Sequence, residues 1–280
     1  MANFSAADVK RLREQTGAGM LDCKNALVEA DGDIEAAIEA LRIKGAKDRG
    51  KRATRTAGNG LVIAELDGTT SGVMIELNCE TDFVAKNEVF QELAAKIAQA
   101  AVAGKVADRL TLLTAETAEG KTVEQLIEEA NIAIKEKIDL GRYVRFEGGY
   151  VTTYLHRTDR DLPPTLGVLV QLDGPNEEVA KDMAQQIAAM RAQYVTRDEV
   201  PADVVEKERR IAEEITREEG KPEQAIPKIV QGRVGAFYKD VVLTEQASVK
   251  DPKQSVAKIL SAGQVNVQAF ARFQVGPALA

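Results

Sequence analysis

The chain has 280 residues, 44% hydrophobic and 29% charged, a balance that supports a packed core and a length that suits about two domains. A formal charge of −7, an aromatic content of 4% and the lack of Trp argue against a surface that coats nucleic acid or stacks its bases. Two cysteines far apart, Cys23 and Cys79, are too few for a disulfide framework, and no run approaches the ~20 apolar residues of a membrane span or signal-peptide character, so the expected compartment is cytoplasmic.

Residues 1–44 predict three short helices. Ser5 and Asp8 make a capping-box-like start, Val9 and Leu12 give one apolar face, and Gly17 marks a stop. The second helix covers about 20–30 with Leu21 and Leu27 inward. Asp31-Gly32-Asp33 is a turn in which Asp33 caps the third helix, carrying Ile34, Ile38 and Leu41. Segment 44–55 then sets six basic residues (Lys44, Lys47, Arg49, Lys51, Arg52, Arg55) against Asp48. It reads as a phosphate or ribosome contact or as a solvated tether, and the lack of apolar anchors favours the tether.

The next region mixes strands and helices. Runs 61–67 and 72–79 read as a β-hairpin around Asp67-Gly68. A helix over 87–103 carries Phe90, Leu93 and Ile97 on one face, and another over 122–138 runs through Val123, Leu126, Ile127, Ala130 and Ile134. Further strands are predicted at 142–148, 150–157 and 165–172, the last after the Leu162-Pro163-Pro164 break.

The pattern Gly72-Val73-Met74-Ile75-Glu76-Leu77 returns as Gly167-Val168-Leu169-Val170-Gln171-Leu172, each time ahead of an Ala-rich helix. From Leu77 to Ile97 is 20 positions, and from Leu172 to Ile187 is 15, so the first copy carries about five extra residues, at Cys79-Glu80-Thr81-Asp82-Phe83. A segment the scaffold does not require is a candidate for function.

Val179, Met183, Ile187, Met190 and Tyr194 follow at near coiled-coil spacing. A turn at 195–201 leads to a charged helix carrying Val204, Ile211 and Ile215 and ending near Gly220-Lys221-Pro222. These two helices are expected to form a protruding antiparallel hairpin. A helix over 223–242 leads back, and 265–276 alternates like a final strand.

Reactive chemistry is sparse. The single histidine is His156, and no G-x-S-x-G elbow is present. Cys23, Cys79 and His156 lack zinc-ligand spacing, and Asp31-Gly32-Asp33 lacks the later ligands of a calcium loop. Segment 115–122 opens with Ala115 where a phosphate loop needs Gly, and reads instead as a helix start capped by Thr122. The expectation is a non-enzyme with no cofactor, no metal and no nucleotide site.

Asn78-Cys79-Glu80-Thr81-Asp82-Phe83-Val84-Ala85-Lys86-Asn87 places an acid beside a large aromatic between a strand and a helix. Phe83 could pack inward with Asp82 as a cap, or it could be an exposed wedge that anchors an interface. This run resembles a signature of the elongation factor Ts family. Leu12-Arg13-Glu14-Gln15-Thr16-Gly17-Ala18-Gly19-Met20-Leu21-Asp22-Cys23-Lys24-Asn25-Ala26-Leu27 resembles the family's N-terminal motif, with Leu21 where a second Met is common and Asn25 where Lys is common. Weaker echoes at Gly167-Val168-Leu169-Val170, Val204-Val205-Glu206-Lys207-Glu208, Gly220-Lys221-Pro222 and Phe273-Gln274-Val275-Gly276 extend the resemblance to the whole chain. Segment 157–164, after His156, is longer than the family pattern leads one to expect.

Pattern and resemblance together imply an α+β fold: a small N-terminal three-helix (UBA-like) bundle, a duplicated β-sheet-plus-helix core and the protruding helical hairpin. The expected boundaries are 1–55 for the bundle and basic linker, 56–178 for the core, 179–222 for the hairpin and 223–280 for a closing helix and strand. The resemblance further implies a guanine nucleotide exchange factor that binds elongation factor Tu in its GDP-bound and nucleotide-free states. Leu12, Arg13 and Met20 would dock on the partner's GTPase domain. Thr81, Asp82, Phe83 and Val84 would disturb its Mg²⁺ site, and His156 would face its third domain. No DNA or membrane contact is implied, and a dimer of heterodimers stays open. Two other readings remain beside it: an RNA- or ribosome-binding module using the basic linker, and a structural protein that self-associates through its helical hairpin.

Overall fold

A computed structural model describes residues 3–276, apart from the side chains of 45–53. Helices α1 (Ala6–Thr16), α2 (Met20–Glu29) and α3 (Ile34–Ala53) form the N-terminal bundle. The predicted capping box is present: the Ser5 and Asp8 side chains each accept the other's backbone N–H, at 3.3 and 2.8 Å. Gly17 ends α1 with φ 67°, a left-handed value that glycine adopts without a Cβ penalty. Asp33 Oδ1 accepts from the N–H groups of Glu35 and Ala36. Leu12, Cys23, Leu27 and Ala37 make the bundle's own core.

Two expectations fail here. Leu21 is 69% exposed. Cys23, Ala26 and Leu27 supply the buried face of α2, and Leu21, two positions from Cys23, lies about 200° round the helix from it. The tether is the second. α3 continues to Ala53, because propagating a helix gains a hydrogen bond for each residue fixed and no proline precedes Pro163 to stop it. The cations from Lys47 to Arg52 belong to side chains outside the described residues, so the basic-patch reading lies outside them too.

Strands β1 (Asn59–Asp67) and β2 (Ser71–Cys79) form the predicted hairpin, with Gly68 at φ 64° in its turn. Next come α4 (Asp82–Lys86), α5 (Glu88–Ala103), α6 (Arg109–Thr114) and α7 (Val123–Ile134), then β3 (Asp139–Glu147), which pairs antiparallel with β2. The second half repeats the order with β4 (Tyr150–His156), β5 (Leu166–Leu172), α8 (Glu177–Met190), α9 (Ala202–Glu218), α10 (Ile226–Val241), α11 (Val256–Gly263) and β6 (Val267–Gln274). The result is two antiparallel sheets of three strands, β1-β2-β3 and β4-β5-β6, with the duplicated motif as the central strand of each.

Strand alternation explains the layering. Val73, Ile75, Leu77 and Cys79 of β2 face α5 and α7, and Leu166, Val168, Val170 and Leu172 of β5 face α8 and α11. The opposite faces meet each other through Met74, Val62, Leu169, Val151 and Phe273. The layers therefore run helix, sheet, sheet, helix. Gly72 and Gly167 both lie on the inner faces. A Cβ at Gly167 would stand 2.5 Å from Val62 Cγ1, and one at Gly72 would stand 3.2 Å from Val151 Cγ1. The polar position shared by the two copies is satisfied in both: Glu76 pairs with Arg142 at 2.6 Å, and Gln171 Nε2 donates to the carbonyls of Glu147 and Gly148.

The helical hairpin is present but built from other helices than the sequence suggested. α9 packs on α10 through Ala212, Ile226, Val230 and Val234. α8 instead lies on β4 and β5, burying Val179, Met183 and Ile187 in the second core. Spacings of three and four serve a sheet-facing helix as well as a coiled coil, and Arg191, at φ 55°, ends α8 before Tyr194 can extend the seam. The hairpin thus spans 202–241, not 179–222.

Candidate functional site

β2 ends at Cys79, and α4, which has no counterpart in the second copy, follows at once. Thr81 caps α4: its hydroxyl accepts the Val84 N–H at 3.4 Å. The same hydroxyl donates to Glu136 Oε1 at 2.8 Å, and the Thr81 N–H donates to Glu136 Oε2 at 3.1 Å. Glu80 answers in the other direction, its carboxylate accepting the Lys137 N–H at 2.6 Å and pairing with Arg55 at 3.3 Å. Asn59 Nδ2 donates to the Glu80 carbonyl at 2.8 Å. Burial, and next the Glu136 carboxylate, push the Cys79 thiol up to about 12.

On this clamped base α4 divides its residues. Val84 and Ala85 are buried in the first core, and Phe83 stands 78% exposed. The exposed reading of Phe83 is the one the fold adopts. Asp82 is half-exposed and pairs with Lys86 one turn on, at 3.4 Å. The resemblance implies Val84 as a contact residue, but its side chain faces inward, where it holds α4 to the sheet.

In the bundle, Met20 and Leu21 open α2 with 52% and 69% of their surfaces exposed, and Arg13 is exposed on α1. Leu12, the third bundle residue that the resemblance implies as a contact, is fully buried against Leu27 and its neighbours, on the apolar face that the sequence pattern gives it. It supports the surface and presents no atom to a partner. Asp22 joins bundle to core: Lys135 Nζ reaches its carboxylate at 2.7 Å and Lys44 Nζ at 3.0 Å. These two ammonium groups, Lys135 first, hold the Asp22 carboxyl below its ordinary range. Beside this strap, a cleft of about 400 Å³ opens between the end of α1 and the Val89, Leu93 and Leu126 side of the core.

The fold thus brings together the two stretches that stood out in sequence. Met20 is two residues from Asp22, and Phe83 is two from Thr81. Asp22 and Thr81 are bonded to the adjacent residues Lys135 and Glu136.

The comparisons with known proteins show the family. A family model described as Elongation factor TS matches residues 80–277. Curated proteins named elongation factor Ts are similar along nearly the full length. That of Thermobifida fusca is 60% identical over 278 residues, covering 99% of this chain and 100% of the relative. That of Acidothermus cellulolyticus is 59% identical over 276 residues, 99% of each chain, and that of Mycobacterium marinum is 58% identical over 278 residues, 99% of this chain and 100% of the relative. The chain belongs to the elongation factor Ts family.

As a member of the elongation factor Ts family it is a translation elongation factor. Its described residues contain no group of three or more His, Cys, Asp or Glu side chains able to hold a metal ion. They also contain no helix long and apolar enough to cross a membrane. Cys23 lies in the bundle core, Cys79 in the first sheet's core and His156 on the surface. His156 closes β4, an edge strand, with its ring stacked on Tyr154 and Nδ1 3.1 Å from the Tyr154 hydroxyl. Sequence reasoning missed Lys135, Glu136 and Lys137. The only local signal was a cation-acid-cation run past the apolar face of α7, a pattern shared by many solvated helix ends.

Proposed function

We propose that this protein binds elongation factor Tu·GDP and speeds GDP release, leaving a nucleotide-free complex that GTP resolves. The observation that carries the reading is Phe83: a large ring 78% exposed on a helix whose next two residues, Val84 and Ala85, are buried. An aromatic held out on a rigid base is the group an interface uses as its energetic anchor. Asp82 beside it carries a charge able to reorder hydrogen bonds around the partner's Mg²⁺. That ion demands near-ideal octahedral geometry, so a small displacement of its surroundings weakens it and the diphosphate together.

Arg13 and Met20 supply a second contact, on the partner's GTPase domain, and His156 a peripheral one. Linkage requires that a factor loosening GDP be loosened equally by GDP, so the same contacts allow the cycle to turn over. Exchange hastens an equilibrium without moving it. The protein in this reading performs no bond chemistry, binds no nucleotide itself and works in the cytoplasm.

The test is the release rate of a fluorescent GDP from elongation factor Tu with no factor, with the wild type and with Phe83→Ala. Strong acceleration by the wild type and much weaker acceleration by the variant is expected. No acceleration by the wild type would sink the exchange reading.

A further inference from the structure

Three consecutive residues after α7 reach three different parts of the molecule. Lys135, left-handed at φ 65°, pairs with Asp22 of the bundle at 2.7 Å. Glu136 takes both polar hydrogens of Thr81. Lys137 gives its N–H to Glu80 and its Nζ to the Arg55 carbonyl, at 2.6 and 3.1 Å. Residues 80–81 and 136–137 therefore exchange carboxylates, each segment's acid capping a backbone N–H of the other.

We infer that Glu136 is the positioning residue of the wedge, acting through Thr81 to fix the direction in which Phe83 leaves the surface. α4 has five residues, too few for a helix to persist by its own hydrogen bonds. Its orientation depends on what grips its ends. On one side Val84 and Ala85 sink into the core. On the other the cap is a hydroxyl, which can rotate. The Glu136 carboxylate settles that rotation: it accepts the Thr81 O–H, so the oxygen's lone pair is turned toward the Val84 N–H. The second carboxylate oxygen takes the Thr81 N–H, which fixes the residue's backbone as well as its side chain. Bonds to an ionised acceptor are the stronger class, and paired ones add direction. Phe83 is 78% exposed and lies outside the first core that holds Val84 and Ala85, so its aim is inherited largely from this cap. A wedge already aimed is spared that reordering inside the docked complex, where release takes place.

The inference rests on the exchange reading above, and the experiment separates the two. Stimulated GDP release is measured against factor concentration, giving a maximal rate and a half-saturating concentration for the wild type, Glu136→Ala, Glu136→Gln, Phe83→Ala and the Glu136→Ala/Phe83→Ala double variant. Glu136→Ala is expected to lower the maximal rate about ten-fold while the half-saturating concentration stays within about two-fold, since the bundle contact is untouched. Glu136→Gln, which keeps an acceptor for Thr81, should recover part of the loss. On the Phe83→Ala background, Glu136→Ala should cost no more than about two-fold further, because a cap has nothing left to aim.

Wild-type rates in Glu136→Ala overturn the inference while leaving the exchange reading intact. So does a loss that multiplies in full on the Phe83→Ala background. If the wild type fails to accelerate release, the exchange reading falls and the inference with it. Should Glu136→Ala not fold, Thr81→Val takes its place in the cycle, with the same expected loss and the same overturning result.

Discussion

Phe83 and Val84 are neighbours on one turn of helix and face opposite ways, Phe83 out into solvent and Val84 into the first hydrophobic core. Stability and activity are therefore carried by different side chains one residue apart. Phe83→Ala removes little packing, so its unfolding free energy should stay within about 0.5 kcal/mol of wild type while GDP release slows. Val84→Ala should do the reverse in part, costing about 1–2 kcal/mol through lost burial. Denaturant midpoints beside release rates check both. A Phe83→Ala variant as destabilised as a core truncation would contradict the placement of the ring.

The strap between bundle and core should be acid-sensitive. Asp22 is more acidic when folded, because Lys135 and then Lys44 stabilise its charged form. A carboxyl depressed on folding contributes stability that is fully present above its unfolded value, ~3.9, and lost as pH falls through the lower folded value. The gap between wild-type and Asp22→Asn unfolding midpoints should hold steady above about pH 5 and close below about pH 4. High salt should narrow it at any pH, since the pairs are exposed to solvent. A gap that widens in acid would reverse the assignment.

Cys79 should be inert while the protein is folded. Its thiol is buried, donates to the Thr81 carbonyl at 3.1 Å and is pushed up to about 12. The thiolate is the reactive form, so at pH 8 almost none is present. Alkylation by iodoacetamide, followed by peptide mass analysis, should leave Cys79 unlabelled in native protein and label it after denaturation. Labelling at the rate of an exposed thiol would show the loop to be open.

Gly167 marks a close approach of the two sheets. Its missing Cβ would lie 2.5 Å from Val62 Cγ1 and 2.9 Å from Met74 Sδ. Gly167→Ala must part the sheets or force both side chains off their rotamers, and should cost about 1–3 kcal/mol in the denaturant midpoint. An unchanged midpoint would mean that the sheets separate without strain.

Much of this architecture was legible because single faces dictate it. Phe90, Leu93 and Ile97 fix the buried side of α5, Asp67-Gly68 fixes the first hairpin, and the shared Gly-Val pattern announces two corresponding strands. What failed depended on a partner surface. Val179, Met183 and Ile187 state that α8 has an apolar stripe but not whether a helix or a sheet covers it. α6 and α11, of six and eight residues, are too short for their period to rise above the surrounding loops. Of the site, the extra residues in the first repeat and the acid beside an aromatic marked Asp82 and Phe83 and left open whether the ring pointed in or out. Glu136 carried no mark, since its importance comes from Thr81, 55 residues away in the chain.

The order of strands also sets a timetable. β1, β2 and β3 all lie before residue 148, so the first sheet can close as soon as that much chain has left the ribosome. The second sheet cannot. β5 ends at Leu172, and the strand that completes its far side, β6, begins at Val267, 95 positions later. At ~5–20 residues per second, a nascent chain carries that open edge for about 5–20 s. An unpaired apolar strand edge is a template for joining other chains. A protein that serves elongation is thus most prone to aggregate during its own elongation, and slow codons between β5 and β6 would lengthen its exposure.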